Sequence, residues 1–363
     1  MIVPFLDLKR VSAAQKEKLS QAFEERLEEG LYSGGLAVTD FQRELEKFLG
    51  VNHAIGLGNG TDSLEMALRA LGVGEGDEVI VPALTWVSTA EVVKLVGATP
   101  VFSDTDENGL IGDGWTELCT VKTKAIIPVH LYGKMVYMES LIKEAKRKNL
   151  WVIEDAAQSF GAVQNGRASG TIGDIGALSF YPTKNLGALG EAGACTSHDQ
   201  ELAEKIALLS NHGQSQRDAH ELSGRNARID TLQAAFLSVQ LSFFQEQQIK
   251  RKEIAKKYLE AFADLEELDM PKGILSEDHN AHLFVIKSKK RDELRSFLKL
   301  KGIRTALHYP MILPDMSPFR VDGDFSKARS ITKTCLSIPL NPFLTDQEID
   351  YVIKTVRDFY TKK

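Results

Sequence analysis

The sequence predicts an α/β fold: a large domain built on a mostly parallel mixed sheet, followed by a smaller C-terminal α+β domain. Three observations predict it. Between about residue 54 and residue 210, short apolar, β-permissive runs alternate with stretches of helical period, and strands separated by helices pair in parallel through right-handed crossovers. Past that region the alternation changes to two helices and then a second, shorter set of strands and helices. Finally, a chain of 363 residues exceeds the roughly 100–200 residues expected of one domain. The division falls near residue 245, giving a large domain over 1–245 and a small one over 246–363, with the N-terminal segment expected to pack on the small domain.

In chain order, residues 12–29 are charged and helical in pattern, and Tyr32-Ser33-Gly34-Gly35 makes a turn. Thr39 with Gln42 three residues later forms a capping-box signature. It opens a helix with the apolar stripe Phe41, Leu45, Phe48 and Leu49, which stops at Gly50. Residues 54–57 form the first strand, and Gly58-Asn59-Gly60-Thr61-Asp62-Ser63 leads into Leu64, Ala67, Leu68 and Leu71 at helical spacing. Strands follow at 78–82, 99–103, 124–129, 150–155 and 175–180, with a helix at 138–148 and a further strand starting within 190–194. A helix over 200–210 precedes residues 211–228, which are polar and without period. They read as a long loop of the kind that is usually functional or mobile. Two helices, 230–244 and 247–268, carry the chain into the small domain. Its elements are a strand at 283–286, a helix at 292–301, a strand at 304–308 and a helix from 346 to about 360.

Composition narrows the function classes. Hydrophobic content of 43% and charged content of 26% are those of an ordinary globular chain. A net charge of -6 without a basic block argues against nucleic acid as a partner. No window approaches the roughly 20 apolar residues of a membrane span, and Asp7 interrupts the apolar start, so no signal peptide is expected. Cys119, Cys195 and Cys335 are few and far apart, which fits neither a disulfide framework nor a metal site and suits a reducing cytoplasm.

Chemistry concentrates in two stretches. The apolar run 175–180 is a buried strand closed by Pro182, so its end delivers Lys184 to a loop. Burial lowers the pKa of a lysine and favours the neutral amine that condenses with an aldehyde; a lone lysine read by itself is far more often a solvated surface residue. Upstream, Glu154 and Asp155 end another apolar strand, and strand alternation sends them to opposite faces, so one of the two looks into a shared pocket. A buried carboxylate there is what keeps a pyridine nitrogen protonated; a helix cap is the structural alternative, and the opposed faces and lack of a nearby His or Cys set argue against a metal-binding pair. The strand, glycine turn and helix around Gly60 and Thr61 present free N–H groups to a phosphate, and also make an ordinary capped turn. Trp86, at the end of the strand 78–82, suits either the core or a stacked aromatic ring.

Glu154-Asp155-Ala156-Ala157-Gln158-Ser159 and Ser179-Phe180-Tyr181-Pro182-Thr183-Lys184-Asn185 resemble the DegT/DnrJ/EryC1/StrS family of nucleotide-sugar aminotransferases, from Phe5 to about the C-terminus. The resemblance implies the aspartate-aminotransferase-like fold (fold type I) and pyridoxal 5′-phosphate as cofactor. It implies that Lys184 binds the cofactor and shuttles protons, Asp155 holds the ring nitrogen, and Gln158 the ring 3-oxygen. Gly60, Thr61 and Ser179 take the phosphate, and Trp86 covers the ring. Asn226, in Gly224-Arg225-Asn226-Ala227-Arg228-Ile229-Asp230, reaches the partner's cofactor phosphate, which implies a homodimer with shared sites. Tyr181, His308 and Tyr309 fall near the sugar site, although Met311-Ile312-Leu313 departs from the family's usual continuation. The implied reaction takes an amino group from an amino acid, L-glutamate, to a nucleotide-linked keto sugar. Lys184-Asn185-Leu186-Gly187-Ala188-Leu189-Gly190 is closer to members that aminate C3, which points to a dTDP-3-keto-6-deoxyhexose; a 4-keto sugar is the alternative. More remote are a lyase or desulfurase using Cys335, and a non-catalytic cofactor-binding regulator.

Overall fold

The computed structural model describes residues 1–10 and 15–361. Its centre is a seven-stranded sheet of β1 (His53–Leu57), β2 (Glu78–Pro82), β3 (Thr99–Ser103), β4 (Thr123–Ile126), β5 (Trp151–Asp155), β6 (Ile175–Ser179) and β7 (Gly193–Ser197), in the order β1-β7-β6-β5-β4-β2-β3. Every neighbouring pair is parallel except those made by β7, which runs antiparallel to both β1 and β6. Val79, Ile80 and Val81 are all fully buried although successive side chains point to opposite faces, so both faces of β2 are covered, as in sheets flanked by helices. The register sets Asp155 beside Ala177 and Ser179 beside Gly193. The carboxyl ends of β5 and β6 therefore open on one edge of the sheet, where ligands collect in such folds.

Several elements differ from expectation. The predicted helix start at residue 12 lies outside the described residues, and α1 spans Lys16–Glu29. The next helix, α2 (Leu36–Leu49), starts a turn before the anticipated cap: Gly34 and Gly35, both at positive φ, turn the chain into it. Thr39 is thereby interior, its hydroxyl donating to the Leu36 carbonyl, and Gln42 instead accepts from the Gly56 amide at 2.9 Å. After α3 (Gly60–Ala70), α4 (Ser88–Leu95), α5 (Met138–Arg147) and α6 (Gln200–Ser210), the polar stretch 211–228 contains a short hairpin pairing Gln214–Gln216 with Ala219–His220. The two helices expected next are one, α7 (Thr231–Ala261), of 31 residues. Nothing at Gln245-Glu246-Gln247 breaks it, because no Gly or Pro occurs there; what changes is the buried face. Leu237 and Phe244 pack with Phe41 and Phe180 beside the sheet, whereas Ile254, Ala255 and Tyr258 enter a second core.

That second core gathers β8 (Phe284–Lys287), α8 (Arg291–Leu300), β9 (Cys335–Ile338) and α10 (Asp346–Thr361), with α9 (Ser326–Thr334) leading into β9. The two strands pair antiparallel, Phe284 opposite Ile338. Residues 304–308 are not a strand, because the backbone pairs only at isolated bridges, Ala306 to Ser337 within the segment and Val3 to Ile303 just before it. The N-terminal segment meets this unit: Val3 is fully buried in its core, and Arg10 pairs with Glu348 at 2.8 Å. Among the described residues no helix is long and apolar enough to cross a membrane.

Candidate active site

Strand alternation separates the two acids at the end of β5. Glu154, fully buried, accepts from His130 Nε2 at 2.9 Å and from the amides of Gly170, Ile172 and Gly173 at 2.5–3.0 Å. Burial alone pushes its pKa up, but the His130 bond and these N–H groups bring it below its ordinary value. Glu154 thus stitches the 170–173 loop under the sheet. Asp155 faces the other way, accepting from the Thr89 hydroxyl at 2.8 Å and the Ala157 amide at 3.2 Å. Burial raises its pKa, opposed by those two donors and by the charge of Lys184. An acid so placed is completed by a further cation or N–H donor.

Lys184 lies five residues past β6, on a loop whose base is fixed. Phe180 is fully buried and packs edge-on against Phe41 and Phe160, with ring centroids 5.7 and 5.9 Å away. Its carbonyl accepts from Ala188 at 2.8 Å, and the Lys184 amide donates to Tyr181 O at 2.8 Å. The side chain of Lys184 is half-buried, and no described residue accepts a hydrogen bond from its amine. Burial lowers its pKa to about 8, with Asp155 pulling the other way. An amine free of partners, near neutrality and within the field of a buried carboxylate has what a carbonyl-condensing lysine requires.

The start of α3 closes on the end of β6. Asn59 caps the helix by accepting from the Asp62 amide at 2.8 Å, and the Ser63 amide bonds to Asn59 O, so the amides of Gly60 and Thr61 point out of the helix start. The Thr61 hydroxyl sits 2.8 Å from the Ser88 hydroxyl. A Cβ on Gly60 would stand 2.7 Å from Ser179 Cβ; glycine is what lets the two segments form a cradle lined by two free amides and the hydroxyls of Thr61, Ser88 and Ser179, suited to an anion at the positive end of the helix.

Trp86 is 58% exposed, and its ring lies 5.9 Å from that of Tyr309. Gln158 is oriented at both ends: its Oε1 accepts from the Tyr132 amide at 2.7 Å and its Nε2 donates to Tyr309 Oη at 3.0 Å. His308 pairs through Nδ1 with Ser337 Oγ at 2.8 Å, and burial, followed by the charge of Lys184, lowers its pKa to about 4. Tyr181 is exposed beside Lys184. The structure thus brings Asp155, Lys184, Gln158, His308 and Tyr309 to one place, with Trp86 against Tyr309. Asn226 is different: its loop is tied to β1 and α3, with Ala227 O accepting from Gly58 at 2.8 Å and Arg225 bridging Asp62 and Glu65, and no hydrogen bond joins its side chain to the cradle of its own chain.

Sequence reasoning missed Thr89, His130 and Tyr132. Thr89, in α4, follows Thr85, which precedes that helix, by four residues, and the two hydroxyls are 3.1 Å apart; nothing in that spacing points to Asp155.

Comparison with known proteins is consistent along nearly the whole length. The model of the DegT/DnrJ/EryC1/StrS aminotransferase family matches residues 13–357. A dTDP-3-amino-3,4,6-trideoxy-alpha-D-glucose transaminase of Streptomyces venezuelae is 37% identical, covering 98% of this chain and 96% of its own. A dTDP-3-amino-3,6-dideoxy-alpha-D-galactopyranose transaminase of Aneurinibacillus thermoaerophilus is 38% identical, covering 99% of each. The crystal structure of DesV from S. venezuelae superposes with a TM-score of 0.96 at 36% identity, covering 100% of this chain and 99% of that one.

Proposed function

The chain belongs to the DegT/DnrJ/EryC1/StrS aminotransferase family, and on that premise we propose that it moves an amino group from L-glutamate to the C3 ketone of a dTDP-linked 6-deoxyhexose, giving a dTDP-3-amino-3,6-dideoxyhexose. It is an aminotransferase, and aminotransferases of this family work with pyridoxal 5′-phosphate. The observation that carries the proposal is the unpaired amine of Lys184, lowered to about 8, in the field of the buried Asp155. Two relatives named for dTDP-3-amino sugars support the C3 position.

The residues present fit the cofactor. The cradle at Gly60 exists because no Cβ intrudes on Ser179, and it suits a phosphate. No described cation hydrogen-bonds to Asp155, on which Lys184 acts only through its charge, and a protonated ring nitrogen would be such a partner. When bound, the cofactor supplies an electron sink for the carbon that exchanges its proton. Lys184 would hold it through Nζ, and the same amine would move the proton at the donor carbon and, in the second half of the cycle, at the sugar carbon. Asp155, fixed by Thr89 and Ala157, would keep its carboxylate on the ring nitrogen. Gln158, one of whose N–H groups donates to Tyr309, would give the other to the ring oxygen, Trp86 would cover the ring, and Tyr181, His308 and Tyr309 would line the approach of the sugar.

Further parts of the proposal are a homodimer in which Asn226 reaches the partner's phosphate, a cytoplasmic location, and division into units 1–245 and 246–363. Retention of Lys184 favours transamination over the dehydration carried out by family members with His there. A desulfurase reading is disfavoured because Cys335 is buried in β9 with its pKa raised by that burial. The test is turnover of L-glutamate with the dTDP-3-keto sugar, product mass reporting the amine. Lys184→Ala is expected to abolish it, and turnover at the wild-type rate in that variant defeats the mechanism.

A further inference from the structure

Beside Lys184, between the sheet-bearing unit and the C-terminal one, lies a cavity of about 330 Å³ lined in part by Lys184, Asn185, Gln240, Gln247, Arg251 and Phe343. Arg251, on α7, is 5% exposed. Its Nη1 donates to the carbonyls of Leu340 at 3.0 Å and His282 at 3.5 Å. No described residue accepts from its Nε or Nη2, and no described carboxylate pairs with it. A buried guanidinium without a counter-charge is costly, and burial lowers its pKa to about 10. The unused edge is the planar two-donor fork that matches the two oxygens of a carboxylate. His282 ties this edge to the reactive lysine: burial, then Lys184, then Arg251 lower its pKa, so both cations act on the same ring, and Asn185 Oδ1 fixes it at 3.0 Å from Nδ1.

We propose that this cavity receives the amino-acid donor and that Arg251 binds the donor's carboxylate through its free Nε–Nη2 edge. The inference rests on the aminotransferase reading, since it supposes that the donor is an amino acid. A diphosphate is the less suitable occupant, because Lys184 is committed to the chemistry and, among the described residues, the remaining wall offers one fork and neutral amides. Gln240 and Gln247 give the rest of the donor polar contacts without adding charge, Asn185 being committed to His282, Gln248 and the Asn280 carbonyl.

The experiment uses the holoenzyme and measures KM for L-glutamate and for the nucleotide sugar separately in the wild type, Arg251→Lys and Arg251→Gln. Removing one partner of a buried charge pair is expected to raise the KM for L-glutamate at least about tenfold, with the KM for the sugar unchanged. Equal changes in both constants, a change in the sugar constant alone, or no change overturns it. Should the variants fail to fold, the wild type still decides: glutarate, which has the carboxylates but no amine, is expected to compete with L-glutamate while n-pentylamine does not, and absence of glutarate competition overturns the proposal. If wild-type holoenzyme takes no amine from L-glutamate at all, the aminotransferase reading itself fails; if it does and Arg251 proves indifferent, the donor site alone is lost.

Discussion

The amine of Lys184 makes a prediction that can be worked through from its surroundings. Its pKa is lowered from 10.5 to about 8 by burial, with the charge of Asp155 acting in the opposite direction. At pH 7 an amine of pKa about 8 is neutral in about one molecule in ten, against roughly one in three thousand for an unperturbed lysine, a gain of about 300-fold in the reactive form. Capture of pyridoxal 5′-phosphate by the apoprotein, followed by the absorbance of the lysine-bound cofactor, should therefore accelerate by close to tenfold per pH unit below 8 and level off above it. Asp155→Asn removes the charge that raises the lysine, so the inflection should move below that of the wild type. A rate that keeps climbing through pH 10 in the wild type, or an inflection that rises in Asp155→Asn, refutes the assignment. The same shift has a stability consequence. Between about pH 8 and 10.5 the unfolded chain holds a proton on Lys184 that the folded chain has lost, so this group's contribution favours the fold increasingly as pH rises through that window.

Thr89→Val takes a donor from Asp155 and should raise the acid's pKa further, moving the acid limb of the pH–rate profile to higher pH; an unmoved limb refutes the role of Thr89. Gly60→Ala places a Cβ 2.7 Å from that of Ser179, which forces the two segments apart, and should weaken cofactor binding, measured by fluorescence titration, by about tenfold or more at ~1.4 kcal/mol per tenfold, with a lower melting temperature; unaltered affinity refutes the cradle. Trp86→Ala should weaken the same binding by only about two- to tenfold, the amount attributed to aromatic stacking, ~0.5–1.5 kcal/mol; no loss means that the exposed indole does not cover the ring.

What was legible in the sequence was the set of strand ends. Asp155 and Lys184 follow apolar runs whose exit points are fixed by composition and by Pro182, and alternation alone separated Asp155 from Glu154. The residues that act from across the fold were not legible. Thr89, the Tyr132 amide and Arg251 matter through hydrogen bonds to partners 66, 26 and 89 residues away in sequence, and no local period records such distances. Local signals also competed with one another: the Thr39–Gln42 spacing imitates a cap, but the glycines at 34 and 35 start the helix earlier. Helix α9, Ser-Lys-Ala-Arg-Ser-Ile-Thr-Lys-Thr, was missed because Ala328 and Ile331 are its two apolar residues, too few to show a stripe. Residues 304–308 are β-permissive, yet a strand needs a neighbour along its length, and the chain there has single bridges instead.

The most direct test of the central claim separates the second half-reaction from the first. The purified holoenzyme is converted to its amine-loaded form with L-glutamate and freed of excess donor. The dTDP-linked 3-keto and 4-keto 6-deoxyhexoses are then added in separate experiments, and the absorbance of the lysine-bound cofactor is followed. Its return with the 3-keto sugar and not with the 4-keto sugar is the predicted result; its return with the 4-keto sugar alone, or with neither, contradicts the account.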